Sequence, residues 1–137
     1  MAIYGLDSDP NTGAAEAIAG AVTMLKRLET LNERLKQELK DGLKIGVGIH
    51  TGEAIVGSMG PPAAPIISAL GDNVNVAARL ESQTKEFGVP LVVSAETAEL
   101  SGLNFKGLRK RRVHVKGRTQ PIMVYPISNP ERLGVAR

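Results

Sequence analysis

The chain has 137 residues, of which 42% are hydrophobic and 3% aromatic, and its formal net charge is +3. This length suits one domain with a two-layer core, and no apolar run approaches the ~20 residues that a membrane span needs. The chain has no cysteine and two histidines, which excludes disulfides and thiolate metal sites and argues against a histidine-based metal centre. A cytoplasmic location is expected. Aromatic residues are too few for base-stacking platforms, so a small phosphorylated ligand is favoured over nucleic acid.

The N-terminal third predicts the end of a strand followed by one long helix. The opening MAIYG is typical of a strand tail, and LDSDPNTG carries turn signals. Apolar residues then recur at spacings of three and four from Ala14 to about Lys40. This periodicity predicts an amphipathic helix with one apolar face.

Two strands and an exposed segment are predicted next. LKIGVGIHT alternates apolar residues with glycines, and the bare glycine face indicates the close approach of another backbone. EAIVGSM follows a Thr-Gly pair and is expected to form a hairpin with the strand before it. The three prolines of GPPAAP exclude a sheet interior, so this segment is expected to be an exposed arm or loop that leads to IISAL.

The C-terminal half predicts a helix, a buried strand, a short helix and a closing hairpin. Asp72 is the expected N-cap of a helix from Asn73 to about Phe87. The later elements follow in chain order: PLVVS, AETAELSG, RRVHVKG and PIMVYPI. The tail after Ser128 is expected to be frayed. This order indicates an α+β fold with helices over a mainly antiparallel sheet.

The start of the predicted helix carries two residues that suit an anionic ligand. Asn75 and Arg79 are four residues apart, so they share a helix face near the positive end of the helix dipole. An amide and a guanidinium at this place can hold a ribose oxygen and a phosphate. The spacing equally allows a structural explanation, in which Asn75 caps a backbone group and Arg79 pairs with Glu81 or another surface carboxylate.

A basic segment follows in the C-terminal third, with seven lysines and arginines: Lys106, Arg109, Lys110, Arg111, Arg112, Lys116 and Arg118. Lys116 shares a strand face with Arg112 and His114, and such a row can hold a polyphosphate. The same row also suits a solvated edge strand that is protected from aggregation by charge, or a basic nucleic-acid surface. His50 is expected to be packed or hydrogen-bonded rather than catalytic.

Three segments resemble, in order and spacing, the class III adenylate/guanylate cyclase catalytic domain: LKIGVGIHTGEAIVGSMG, LGDNVNVAARLESQTKEFG and VHVKGRTQPIMVYPI. The resemblance runs from Met1 to about Ile127 and implies a ferredoxin-like nucleotide cyclase fold. It assigns residues 1–128 to part of a catalytic domain and leaves 129–137 as a flexible tail. In that family two domains pair head to tail, and ATP or GTP binds at their interface.

The resemblance also implies roles for four residues. Asn75 matches the residue that positions the ribose, Arg79 the residue that stabilises the α-phosphate, and Lys116 the lysine that holds the β- and γ-phosphates. Ser68 stands where adenylate-forming relatives carry an Asp or Thr that recognises the adenine amino group, and its hydroxyl can accept the same hydrogen bond. The implied function is the conversion of ATP to 3′,5′-cyclic AMP and pyrophosphate in signal transduction. Guanylate cyclase and a non-catalytic nucleotide-binding or dimerisation module are the alternatives.

The family's two metal-binding aspartates have no match in this sequence. They hold two Mg²⁺ or Mn²⁺ ions, and the resemblance puts both of them ahead of Met1, where Asp7 and Asp9 cannot replace them. The resemblance therefore implies an N-terminally truncated domain that binds no metal and is inactive alone. Its exposed apolar surface favours self-association as a homodimer, and no membrane segment or nucleic-acid partner is expected.

Overall fold

A four-stranded sheet lies between helices on both of its faces in the computed structural model, which describes residues 1–134. The elements in chain order are α1 (Pro10–Arg34), β1 (Val47–Ile49), β2 (Ile55–Met59), β3 (Ile66–Leu70), α2 (Asp72–Phe87), β4 (Leu91–Ser94), α3 (Ala95–Ser101), β5 (Arg111–Val113), β6 (Ile122–Ile127) and a 3₁₀ turn at Pro130–Arg132. The sheet order is β1-β4-β6-β5, and β2 and β3 form a separate two-stranded sheet. Only β1 and β4 pair in parallel, so the predicted α+β fold with a mainly antiparallel sheet is confirmed.

The central strand β4 divides the core into two halves. Leu91 and Val93 pack on one side of the sheet in a cluster with Ile18 of α1 and Ala98 of α3. The residue between them, Val92, faces the other side, in a cluster that includes Val76 and Leu80 of α2. All four residues of β4 are buried, which explains why this strand is a continuous apolar run in the sequence.

Helix α1 begins four residues earlier than its periodicity predicts and ends at Arg34 rather than near Lys40. Asp9 is its N-cap and accepts a hydrogen bond from the Thr12 backbone N–H at 2.8 Å, and Pro10 occupies the first helical position. The Asp-Pro pair is therefore a helix start rather than a turn signal. The bond from Thr12 also holds the pKa of Asp9 below its usual value. Residues 1–5 form no strand, contrary to the prediction.

The predicted hairpin between the first two strands is wrong. β1 pairs with β4 in parallel, while β2 pairs with β3 in an antiparallel hairpin that extends from Ile55 opposite Leu70 to Met59 opposite Ile66. The proline-rich segment is the exposed connection of this hairpin, as its composition predicts. The two apolar runs on either side of the prolines pair with each other, so the chain after β1 leaves the main sheet instead of turning back along it.

Two predicted strands are shorter in the structure. The run from Leu43 to Thr51 forms ladder pairs only at Val47–Ile49. At the start of this run, the Asn32 side chain binds both the backbone N–H and the carbonyl of Leu43. Strand β5 ends at Val113, and Val115 beyond it is buried while His114 and Lys116 are exposed. The inward and outward alternation thus continues past the end of the regular strand.

The C-terminal segment packs on the domain as far as the structure describes it. Pro130 is buried, and the Asn104 backbone N–H donates to the Gly134 carbonyl at 2.8 Å. The predicted tail over 129–137 includes residues 135–137, which lie outside the described residues. Its flexibility therefore stays a prediction.

The glycine face of β1 lies directly against helix α2, as the bare glycines predict. A Cβ atom on Gly48 would lie 2.7 Å from the Ala77 carbonyl oxygen and would also overlap the Glu81 backbone nitrogen. At Gly46 it would overlap the side chain of Thr84. Only glycine at these positions allows the helix backbone to come this close to the strand.

Gly48→Ala is expected to lower the free energy of unfolding by about 2 kcal/mol, because the added methyl group must push α2 away from β1. Urea denaturation measures the loss. Gly57→Ala is the matched control, since a Cβ at Gly57 meets nothing within 4 Å. Equal stability of the two variants would contradict this explanation of the glycine face.

Candidate functional site

Helix α2 begins at Asp72, and its N-cap is Gly71, at a φ of +140°. The prediction that Asp72 is the N-cap is therefore wrong. Its carboxylate does not fold back onto the helix but pairs with Arg118 at 3.5 Å. The helix ends as predicted, with Gly88 in the left-handed conformation.

One face of α2 is held against the segment that follows β5. Asp72, Asn75 and Arg79 lie on this face, because Asn75 follows Asp72 by three residues and Arg79 follows it by seven. The Arg79 Nε donates to the His114 carbonyl at 3.3 Å, and Asp72 pairs with Arg118 further along the same segment. These two contacts attach the helix face that carries Asn75 to the segment after β5 at His114, before Lys116, and at Arg118, after it.

The side chains on this face are open to a ligand. Asn75, Arg79 and Lys116 are all exposed. Within residues 1–134, Asn75 caps no backbone group, and the two terminal nitrogens of Arg79 make neither an ion pair nor a hydrogen bond. Among the described residues, therefore, neither structural alternative is present: Asn75 is not a backbone cap, and Arg79 does not pair with a surface carboxylate. The free guanidinium nitrogens lie on the same helix face as Asn75, which belongs to the first turn of α2 and so lies near the positive end of the helix dipole.

Ser68 lies on a different element from these residues, the β2–β3 hairpin. It pairs opposite Gly57 and is half-buried, on the same face of the two-stranded sheet as Ile55, Ile66 and Leu70. No hydrogen bond or ion pair among residues 1–134 connects Ser68 to the α2 face. The structure brings three of the four predicted site residues to one region and leaves Ser68 on an exposed apolar surface.

Two hydrogen bonds anchor the start of α2 to the loop after β1. The Asn73 Oδ1 lies 2.9 Å from His50 Nε2, and its Nδ2 donates to the Glu53 carbonyl at 2.8 Å. Because the Asn73 oxygen can only accept, His50 Nε2 carries the proton. His50 is thus hydrogen-bonded, as expected. The role of Asn73 was not predicted. The sequence signals this contact only through Gly52, because a side chain at Gly52 would overlap the Asn73 carboxamide.

The same loop is also tied to helix α3 through buried hydroxyl groups. Thr51 Oγ1 lies 2.8 Å from Thr97 Oγ1, which in turn lies 2.9 Å from Ser94 Oγ. Thr97 and Ser94 are fully buried. The chain that leaves the sheet after β1 is therefore fixed both to α2 and to α3.

Two residues of the basic segment have structural contacts of their own. The Lys110 ammonium lies 5.8 Å from the centre of the Tyr125 ring, and the Arg111 guanidinium lies 5.3 Å from that of Phe87. These cation–π contacts place part of the positive charge on aromatic surface. Lys116 is set apart from them by its position beside the α2 face.

Residues 1–129 match the sequence profile of the adenylate and guanylate cyclase catalytic domain. The chain belongs to this family. It is 34% identical over 133 residues to the adenylate cyclase of Anabaena cylindrica, covering 92% of this chain and 26% of that protein. Among solved structures, the guanylyl cyclase Cya2 is similar with a TM-score of 0.76 and 26% identity, over 97% of this chain and 68% of that one. The adenylyl cyclase CyaB from P. aeruginosa gives 0.73 and 26%, over 92% and 65%.

This chain spans about a quarter of the length of the cyanobacterial cyclase and about two thirds of the two solved cyclase chains. The two solved cyclases share the same identity with it, although one is named for guanylyl and the other for adenylyl chemistry. Overall similarity therefore does not separate the two nucleotides. No helix within residues 1–134 has the length and apolar character that crossing a bilayer requires.

Cyclases of this family generally use Mg²⁺ or Mn²⁺. Within residues 1–134, no three Asp, Glu, His or Cys side chains lie close enough together to hold a metal ion. Asp72, the carboxylate on the same helix face as Asn75, is already paired with Arg118. The described residues therefore do not fit a metal centre by themselves.

Burial lowers the pKa of His50 from its ordinary value of 6.5. The hydrogen bond that His50 donates to Asn73 and the charges of Glu96 and Asp72 raise this pKa, while Arg118 adds to the lowering. The His50 Nδ1 is buried without a partner among residues 1–134, so protonation would place an unpaired N–H in the interior.

His50 is therefore expected to destabilise the fold as the pH falls. At His50 the unfolded chain binds more protons than the folded one just below pH 6.5, so the contribution of this residue to the free energy of unfolding decreases as the pH falls through that range. Urea denaturation at pH 7.5 and 5.5 should show a larger loss for the wild type than for His50→Gln. An NMR titration in which the His50 ring has a pKa above 6.5 would contradict this.

Proposed function

We propose that this chain forms the substrate-binding part of an adenylate cyclase catalytic domain, which converts ATP to 3′,5′-cyclic AMP and pyrophosphate in the cytoplasm. The observation that carries the proposal is the 3.3 Å hydrogen bond from Arg79 to the His114 carbonyl. This bond holds the exposed Asn75 and the guanidinium beside the segment that contains Lys116. An amide in the first turn of a helix, with one cation on the same helix face and a second on the adjoining segment, suits a nucleoside triphosphate.

Each of these residues has a distinct task in the proposed reaction. The ribose 3′-hydroxyl gives its proton to water and its oxygen bonds to the α-phosphorus, while the bond from that phosphorus to the leaving pyrophosphate breaks. Asn75 orients the ribose, and Lys116 holds the β- and γ-phosphates. Arg79 acts through its terminal nitrogens on the α-phosphate, whose negative charge increases in the transition state.

Arg79→Ala and Asn75→Ala are each expected to weaken the binding of ATP, Arg79→Ala by about 10-fold because a charge-assisted hydrogen bond is lost. Titration with a fluorescent ATP analogue measures the dissociation constants. Lys85→Ala is the matched control, since it removes an exposed cation from the last turn of the same helix. Wild-type affinity in both site variants would show that the role assignments are wrong. Parallel titrations with GTP test the choice of nucleotide.

Turnover is expected only when the metal-binding aspartates of the family are supplied. We therefore expect no cyclic AMP from the 137 residues alone with Mn²⁺ and ATP, measured by a sensitive cyclic-AMP assay. The longest product that the gene encodes is the matched comparison. In that protein, Arg79→Ala should lower kcat by about 100-fold. Clear turnover by residues 1–137 would contradict the first expectation.

The proposed assembly is a homodimer in which a second copy covers the β2–β3 hairpin. Ile55, Ile66 and Leu70 are 73%, 65% and 55% exposed, and the register places them on one face around Ser68. A contiguous apolar face of this kind is typical of an interface. A second copy on this face would bring Ser68 into the interface, where its hydroxyl can accept a hydrogen bond from the adenine amino group.

Ile66→Asp is expected to convert the dimer to a monomer, because a carboxylate on the Ser68 face would be buried without a partner. Light scattering over a range of protein concentrations measures the change in mass. Ile67→Asp is the matched control, since Ile67 is 69% exposed on the opposite face of the same strand. A monomeric wild type, or equal dissociation by the two variants, would exclude this interface.

A further inference from the structure

The β2–β3 hairpin leaves the main sheet and rejoins helix α2 through a narrow neck. The chain leaves β1 at His50, continues through residues 51–54 into the hairpin, and returns to the helix after Gly71. The Asn73 side chain closes this neck. It bonds to His50 Nε2 at 2.9 Å and to the Glu53 carbonyl at 2.8 Å, so one amide joins the outgoing loop to the helix.

The fit around this amide is tight. A Cβ atom on Gly52 would lie 2.6 Å from the Asn73 Oδ1 and would overlap the rest of the carboxamide. A glycine is therefore required where the loop passes over the side chain. The hydroxyl contact from Thr51 to Thr97 restrains the loop from the other side. The neck is thus a defined hydrogen-bonded structure rather than a flexible connection.

Asn73 and the proposed nucleotide face lie on different sides of the helix. Successive residues are 100° apart, so Asn75 projects about 200° away from Asn73. A bond on one side of the first turn fixes its rotation and therefore the direction of side chains on the other side. The ion pair of Asp72 with Arg118 restrains the same turn from the nucleotide side.

We propose that Asn73, with His50 as its hydrogen-bond donor, is a positioning residue that fixes the first turn of α2 and so directs Asn75 and Arg79 at the nucleotide. This inference rests on the proposed function. Asn73 touches neither the nucleotide nor the reacting atoms. Its contribution is to keep the helix N-terminus in one orientation, so that less conformational entropy is lost when the nucleotide binds.

The control for a purely structural role is present in the chain itself. Asn32 forms the same kind of two-bond clamp on α1, because its Nδ2 donates to the Leu43 carbonyl at 2.9 Å and its Oδ1 accepts from the Leu43 N–H at 2.8 Å. Asn32→Ala therefore removes an equal number of hydrogen bonds between a helix and a loop. It leaves the first turn of α2 unchanged.

The test compares ATP affinity in Asn73→Ala, Asn32→Ala, His50→Phe and His50→Gln of the 137-residue chain. Asn73→Ala and His50→Phe should each raise the dissociation constant about fivefold, because both variants lose the hydrogen bond between His50 and Asn73. His50→Gln keeps a donor near the position of Nε2 and should restore affinity, and Asn32→Ala should leave it unchanged. Wild-type affinity in Asn73→Ala and His50→Phe would overturn the proposal and leave the proposed function intact.

An NMR measurement tests, without nucleotide, whether the hydrogen bonds of Asn73 to His50 and Glu53 position the first turn of α2. Long-range ¹H–¹⁵N spectra should show the His50 ring protonated at Nε2, and the amide signals of Asn75 and Arg79 should shift in Asn73→Ala but not in Asn32→Ala. An Nδ1-protonated ring, or unchanged amide signals, would overturn the proposal. If the wild type does not bind ATP, the proposed function fails and these spectra alone decide the clamp. If Asn73→Ala does not fold, the two His50 variants carry the comparison.

Discussion

The positions of Asn75 and Arg79 depend on the direct contact between helix α2 and two glycines, Gly46 just before β1 and Gly48 within it. Without side chains at Gly46 and Gly48, the helix backbone lies on the strand, and its apolar residues fill the core beside β4. A close-packed contact of this kind has little freedom to slide or rotate. It therefore sets the height and direction at which the N-terminus of α2 emerges beside the sheet.

The start of α2 is then restrained from several directions by polar contacts. Asn73 binds the loop after β1, Asp72 pairs with Arg118, and Arg79 donates to the carbonyl of His114. These contacts hold the helix end and the segment around Lys116 together before any ligand is present. A site whose dipole and cations are already oriented needs little reorganisation when an anion binds.

The sequence was most informative where one local rule had no strong competitor. The continuous apolar run of β4 and the left-handed Gly88 both occur as predicted. Predictions from the sequence were wrong where one sequence pattern was compatible with two local structures. The Asp-Pro pair before α1 fits both a turn and a helix cap, and the strand before Thr51-Gly52 was assigned the wrong partner. No periodic pattern in the sequence indicates the contacts of Asn73, since its partners are 20 and 23 residues away in the chain.

The sequence by itself determined the type of most elements, the glycine face of β1, and the shared face of Asn75 and Arg79, because these follow from the repeat of a strand or a helix. Its motifs also determined the family. Only the tertiary structure decided that β1 pairs with β4, that Arg79 meets the carbonyl of His114, and that Ser68 lies on a separate exposed sheet. The physical reason is that strand partners and long-range hydrogen bonds depend on how elements pack together. Local spacing along the chain does not encode that packing.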